Sequence, residues 1–113
     1  MSEYEHLLVS EGNGIVVVTL NRPDARNALN VKLMAELTQF ARAYRTMPSV
    51  RAIILRGGDR NFSAGADLNS SVGDRKAAKP SLLELREGVL AGPDMCRAWE
   101  EMEPVTIVAI EGY

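Results

Sequence analysis

Apolar residues change their spacing along the chain, and each spacing predicts a different element. Leu7–Ser10 and Ile15–Leu20 are short apolar runs separated by Glu11-Gly12-Asn13-Gly14. Asn-Gly tolerates the positive φ angles of a tight turn, so the two runs predict a β-hairpin. Further on, Leu29, Leu33, Leu37, Phe40, Ala41 and Tyr44 recur at helical spacing. They form one apolar stripe of a helix over about 31–47. Asn30 stands where a side-chain oxygen can accept an orphan N–H of the first turn, and Pro48 marks the stop. Ala52-Ile53-Ile54-Leu55, framed by Arg51 and Arg56, is continuously apolar and predicts a strand buried on both faces. Strand, helix, strand is a βαβ unit and places the chain in the α/β class.

The second half is less regular. Asn69 to Pro80 is polar and reads as a mobile surface segment. Ser81 can cap a helix from about Leu82, which Gly92-Pro93 should interrupt. Pro93 suits the first turn of a new helix whose Met95, Ala98, Trp99 and Met102 share a face. Pro104 ends it, and Val105 to Ile110 predicts a third core strand.

The 113 residues fit one small domain. Hydrophobic content of 46% and charged content of 25% are those of a globular chain. Net charge is -2, and the arginines are scattered, so no basic surface argues for nucleic acid. The N-terminus is polar and acidic, without a basic region followed by an apolar run. No apolar stretch approaches the roughly 18–20 residues of a membrane span. The expectation is a non-membrane protein of a reducing, cytoplasmic compartment. One cysteine, Cys96, excludes an internal disulfide, and no Cys/His cluster suggests a metal site. Cys96 reads as a small buried hydrophobe.

Candidate chemistry concentrates in Asn61-Phe62-Ser63-Ala64-Gly65-Ala66-Asp67-Leu68. Small residues let a ligand approach the backbone closely. A short helical turn opening at Asp67-Leu68 would present unpaired N–H groups to a developing negative charge. A tight turn made small for packing is the competing reading. Asp67 is a candidate general base, but a cap on the turn after Gly65 is favoured. Ser63 has neither a nucleophile-elbow pattern nor a partner histidine. His6, the one histidine, is far in sequence from this segment and reads as structural. Gly12-Asn13-Gly14 lacks the third glycine of a dinucleotide fingerprint. The glutamates at 84, 87, 100, 101 and 103 read as solvated helix faces, and Glu111 as a surface or loop-anchoring residue.

Three stretches resemble, in order and spacing, signatures of the enoyl-CoA hydratase/isomerase (crotonase) superfamily. They are Leu20-Asn21-Arg22-Pro23 with Asn27-Ala28-Leu29-Asn30, then Phe62 to Leu68, then Glu103 to Gly112. The resemblance covers essentially the whole chain. It implies an α/β, crotonase-like spiral of ββα units, of which residues 1–113 form an incomplete N-terminal portion. It also implies an acyl-CoA thioester substrate whose oxygen is held by two backbone N–H groups that stabilise an enolate. Ala66 would supply one of these N–H groups. Contacts to the coenzyme A moiety are implied at Arg26, Ala28, Ala64, Gly65, Ala66, Asp67 and Leu68. Arg26 would face phosphates and Ala64 the adenine. The second donor and the acid/base carboxylates would lie beyond residue 113. Coenzyme A enters as part of the substrate, with no separate cofactor. The full-length protein would be a homotrimer or hexamer. Hydration of an enoyl-CoA is the favoured reaction; isomerisation, thioester hydrolysis, decarboxylation and dehalogenation share its enolate logic. A non-catalytic CoA-binding module that needs a partner chain is the alternative.

Overall fold

The hairpin forms as its turn residues dictate. In the computed structural model, which describes residues 3–58, 60–67 and 81–113, strand β1 (Leu7–Gly12) pairs antiparallel with β2 (Ile15–Leu20). Asn13 and Gly14 hold φ of 55° and 79° between them. Positive φ at both central residues matches the right-handed twist of the flanking strands. Helix α1 (Val31–Tyr44) follows, with the Asn30 side chain accepting from the Leu33 N–H at 2.8 Å. Strands β3 (Ala52–Arg56) and β4 (Val105–Ala109) add parallel to β2 and β3, giving one sheet in the order β1-β2-β3-β4. The βαβ pattern is therefore realised, and the three expected strands lie side by side.

The core sits between one face of this sheet and the helices. Leu7, Val16, Val18, Leu20 and Ile53 meet Leu33, Leu37 and Phe40 of α1. Phe40 stacks on Tyr44 and on Trp99, with ring centroids 4.4 and 5.7 Å apart. The Trp99 indole N–H donates to the Leu37 carbonyl at 3.0 Å, which ties the two helices together. Burial raises the Tyr44 phenol above its ordinary pKa, with the Glu11 and Glu3 carboxylates adding to the shift. Glu36, itself buried, accepts from the His6 N–H at 2.9 Å and holds the N-terminal segment against α1.

Three expectations fail. Helix α2 runs unbroken over Leu82–Glu100, with Pro93 inside it. Ser81 and Glu84 form a complete capping box at its start. Proline removes one hydrogen bond, to the Val89 carbonyl, and crowds that group. Val89 is exposed, so water can satisfy its carbonyl while the rest of the long helix keeps its bonds. Second, β4 is no core strand: Ile107 is 48% exposed and pairs with Ile54 on the face turned away from α1. The described helices cover one face of the sheet, so an apolar run alone does not secure burial on both. Third, Cys96 is exposed. The segment 69–80, read as mobile, lies outside the described residues.

Candidate active site

Parallel pairing puts the carboxyl ends of β2, β3 and β4 at one edge of the sheet, where α/β proteins collect their ligands. The loops after these strands converge there. After β2 the chain makes a 3-10 turn at Pro23–Ala25, then two left-handed residues, Arg26 and Asn27, with φ of 53° and 56°. After β3 it runs through Phe62 and Ser63 to Ala66. After β4 it reaches Tyr113, whose carbonyl accepts from the Phe62 and Ser63 N–H groups at 2.7 and 3.1 Å.

Asn27 is the hub. It is 2% exposed. Its Oδ1 accepts from the Arg22 N–H at 2.8 Å, and its Nδ2 donates to the Phe62 carbonyl at 3.1 Å. The Ser63 hydroxyl donates to the Asn27 carbonyl at 2.7 Å and accepts from the Gly65 N–H at 3.1 Å. Ser63 is thus engaged in holding the loop. Asn27→Ala should cost roughly 2–4 kcal/mol, because it strands two polar groups and puts alanine in a left-handed conformation. A denaturant midpoint measures it; a change below about 1 kcal/mol would show that the hub is dispensable.

Gly65 adopts φ of +90°, a conformation side chains rarely take, and turns the chain so that Ala66 forms a single parallel bridge with Leu29. That bridge consists of Leu29 N–H to Gly65 O at 2.7 Å and Asp67 N–H to Leu29 O at 3.0 Å. In a parallel bridge the partner residue's own N–H points to the opposite side. Accordingly, no described residue accepts from the Ala66 N–H, and Ala66 is exposed.

The other sequence-singled residues surround this point. Ala64 is exposed, and its N–H is taken by the Arg26 carbonyl at 3.0 Å. The Arg26 guanidinium is exposed and donates to the Tyr113 hydroxyl at 3.1 Å. Ala28 is buried, and its carbonyl accepts from Arg22 Nη1 at 2.6 Å. The Asp67 carboxylate meets the same Arg22 nitrogen at 3.0 Å. Leu68, and with it the helical turn expected from Asp67 onward, lies outside the described residues. Sequence reasoning gave no role to Asn27 or Arg22 beyond their letters in the resemblance. Their partners stand tens of residues away, and no local pattern announces such bonds.

Beside the bridge a cavity of about 220 Å³ is lined by Leu20, Leu29, Leu37, Leu55, Phe62, Ser63, Met95, Cys96 and Trp99. Ser63 is its one hydroxyl; the rest of the wall is aliphatic, aromatic or sulfur-bearing. Such a wall accepts a hydrocarbon group and offers little to a charged one. Among the described residues no group of three or more His, Cys, Asp or Glu could hold a metal ion. No helix among them is long and apolar enough to cross a membrane.

The family model described as "Enoyl-CoA hydratase/isomerase" matches residues 10–113. A protein of Rhizobium meliloti named "Probable enoyl-CoA hydratase" is 37% identical over 97% of this chain and 40% of its own length. The crotonyl-CoA hydratase of Syntrophomonas wolfei is 32% identical over 97% of this chain and 40% of its own. The solved structure of Pseudomonas aeruginosa AtuE superposes with a TM-score of 0.84 at 32% identity, covering 96% of this chain and 41% of that one. The chain thus spans about two-fifths of the length of the relatives it matches. Matched along nearly all of its own length, it belongs to the enoyl-CoA hydratase/isomerase family.

Proposed function

We propose that the protein binds an acyl-CoA thioester and that the Ala66 N–H donates to the thioester oxygen, most plainly for the hydration of a 2-enoyl-CoA. One observation carries the reading. The bridge to Leu29 uses Gly65 O and Asp67 N–H, which leaves the N–H of the exposed Ala66 directed away from Leu29, while Leu29 and Ser63 of the same two segments line an apolar cavity. In hydration a water hydroxyl adds to C3 of the enoyl group and a proton to C2. Between these events negative charge resides on the thioester oxygen. A fixed backbone donor there lowers the barrier, because it is aimed before the charge develops. The cavity takes the acyl chain, and the exposed Arg26 faces the anionic coenzyme. Ala28, Ala64, Gly65, Asp67 and Leu68 complete the proposed binding segment, Asp67 through its main chain only, its carboxylate being held by Arg22.

Coenzyme A enters in this reading as part of the substrate, without a further cofactor. A cytoplasmic enzyme that assembles as a trimer or hexamer belongs to the same reading, by likeness to the family. The test uses the protein expressed from its whole gene. Saturable binding of an acyl-CoA, and loss of the enoyl thioester's ultraviolet absorbance on mixing with a 2-enoyl-CoA, are expected. Binding without turnover would favour the alternative, a CoA-binding module completed by a partner chain. Absence of binding would overturn both.

A further inference from the structure

A single bridge is a weak way to aim a hydrogen-bond donor. Among the described residues Leu29 and Ala66 form an isolated bridge of two bonds, with the Ala64 N–H to Arg26 carbonyl bond and the Ser63 hydroxyl tying the same segments upstream of it. A charged side chain links the two segments immediately beside the bridge. Arg22 Nη1 lies 2.6 Å from the carbonyl of Ala28, the residue before Leu29, and 3.0 Å from Oδ2 of Asp67, the residue after Ala66. The guanidinium and carboxylate side chains are only 17% and 11% exposed, so solvent screens their attraction poorly. Arg22 is itself held at its backbone, by the Asn27 Oδ1 on its N–H and by the Asn27 N–H on its carbonyl. We infer that Arg22 and Asp67 are positioning residues: their ion pair braces the two segments beside the Leu29–Ala66 bridge and fixes the direction of the Ala66 N–H. This rests on the proposed role of Ala66. It assigns Asp67 neither proton transfer nor a merely local cap, and it gives Arg22 a role in rate without contact to substrate.

A brace and a general base differ in what their loss does. In the protein expressed from its whole gene, Arg22→Met and Asp67→Asn should each lower kcat between about ten- and a hundredfold, the scale for a misplaced catalytic group, with KM nearly unchanged. The double variant should be no worse than the poorer single, because both changes cut the same pair. Asp67→Asn is nearly isosteric and keeps the test open if Arg22→Met fails to fold. A second readout needs no turnover: the NMR shift of an isotope-labelled thioester carbonyl on binding reports its polarisation, and that shift should shrink in Asp67→Asn. Unchanged kcat and unchanged carbonyl shift would overturn the brace. So would additive losses in the double variant. Complete loss of turnover in Asp67→Asn, with the carbonyl shift intact, would move Asp67 into proton transfer. Ala66→Pro separates this inference from the reading beneath it. If that variant folds and keeps full turnover, the oxyanion role fails; if it loses turnover while Arg22→Met does not, only the brace fails.

Discussion

Ala66→Pro is expected to lower turnover of an enoyl-CoA at least about 10²-fold, the usual cost of deleting one oxyanion donor. Proline removes the N–H and fixes φ. The Leu29 bridge does not use the Ala66 N–H, so both of its hydrogen bonds remain available. Gly65, which precedes it, has no Cβ to crowd the proline ring. The variant should therefore keep its fold, and the comparison is read at a melting temperature close to the parent's. Ala66→Ser keeps the donor and should lose far less, since the side chain is exposed and plays no part in the proposed chemistry. Near-normal turnover in a folded Ala66→Pro variant would defeat the assignment. Equal losses in the proline and serine variants would indicate crowding at the site instead of a missing donor.

The largest expected loss of stability follows Phe40→Ala, at about 3–5 kcal/mol. Phe40 is fully buried at the centre of the core. Its ring meets Tyr44 and Trp99 in stacked geometry and Tyr4 edge-on, at a centroid distance of 6.4 Å. Aromatic pairs add to the area they bury, and the vacated volume is bounded by two helices that the Trp99–Leu37 hydrogen bond holds in place. The cavity therefore cannot collapse fully. A small domain has about 5–15 kcal/mol in all, so the variant should stand near the edge of unfolding. Chemical denaturation checks this. Phe40→Leu, which refills most of the space, should lose much less. A Phe40→Ala midpoint within about 1 kcal/mol of the parent's would mean that the sheet, and not the helix pair, carries the stability.

What could be read from the sequence was local. The Asn13-Gly14 turn, the Asn30 cap, the Ser81 cap and the period of the α1 stripe are each determined within a few residues, and each is realised. The parallel order of β2, β3 and β4 followed from helices placed between strands. Whatever depended on distant partners was not legible. Val105 to Ile110 is as apolar as the β3 run, yet Val105, Ile107, Val108 and Ile110 are exposed, because burial depends on what lies across the sheet. Gly92-Pro93 looked like a break, but a single lost bond on an exposed turn does not end a helix already capped and packed through Trp99. Cys96 lines the apolar cavity and is exposed all the same, since that cavity opens to the surface. In the site segment, the resemblance pointed to Ala66, whereas the reason its N–H is outward emerged only from the Leu29 bridge. The Arg22–Asp67 pair spans 45 residues and has no sequence signature.

The direct test of the account is the amide resonance of Ala66 during titration with an acyl-CoA. If that N–H donates to the thioester oxygen, its proton signal should move downfield on saturation and its exchange with solvent should slow, as expected for a donor gaining a strong acceptor in a site closed to water. Ala64, whose N–H is already bonded to the Arg26 carbonyl, should change far less. An Ala66 resonance that stays in place while residues of the apolar cavity respond would show that the thioester binds with its oxygen elsewhere, and would contradict the central claim.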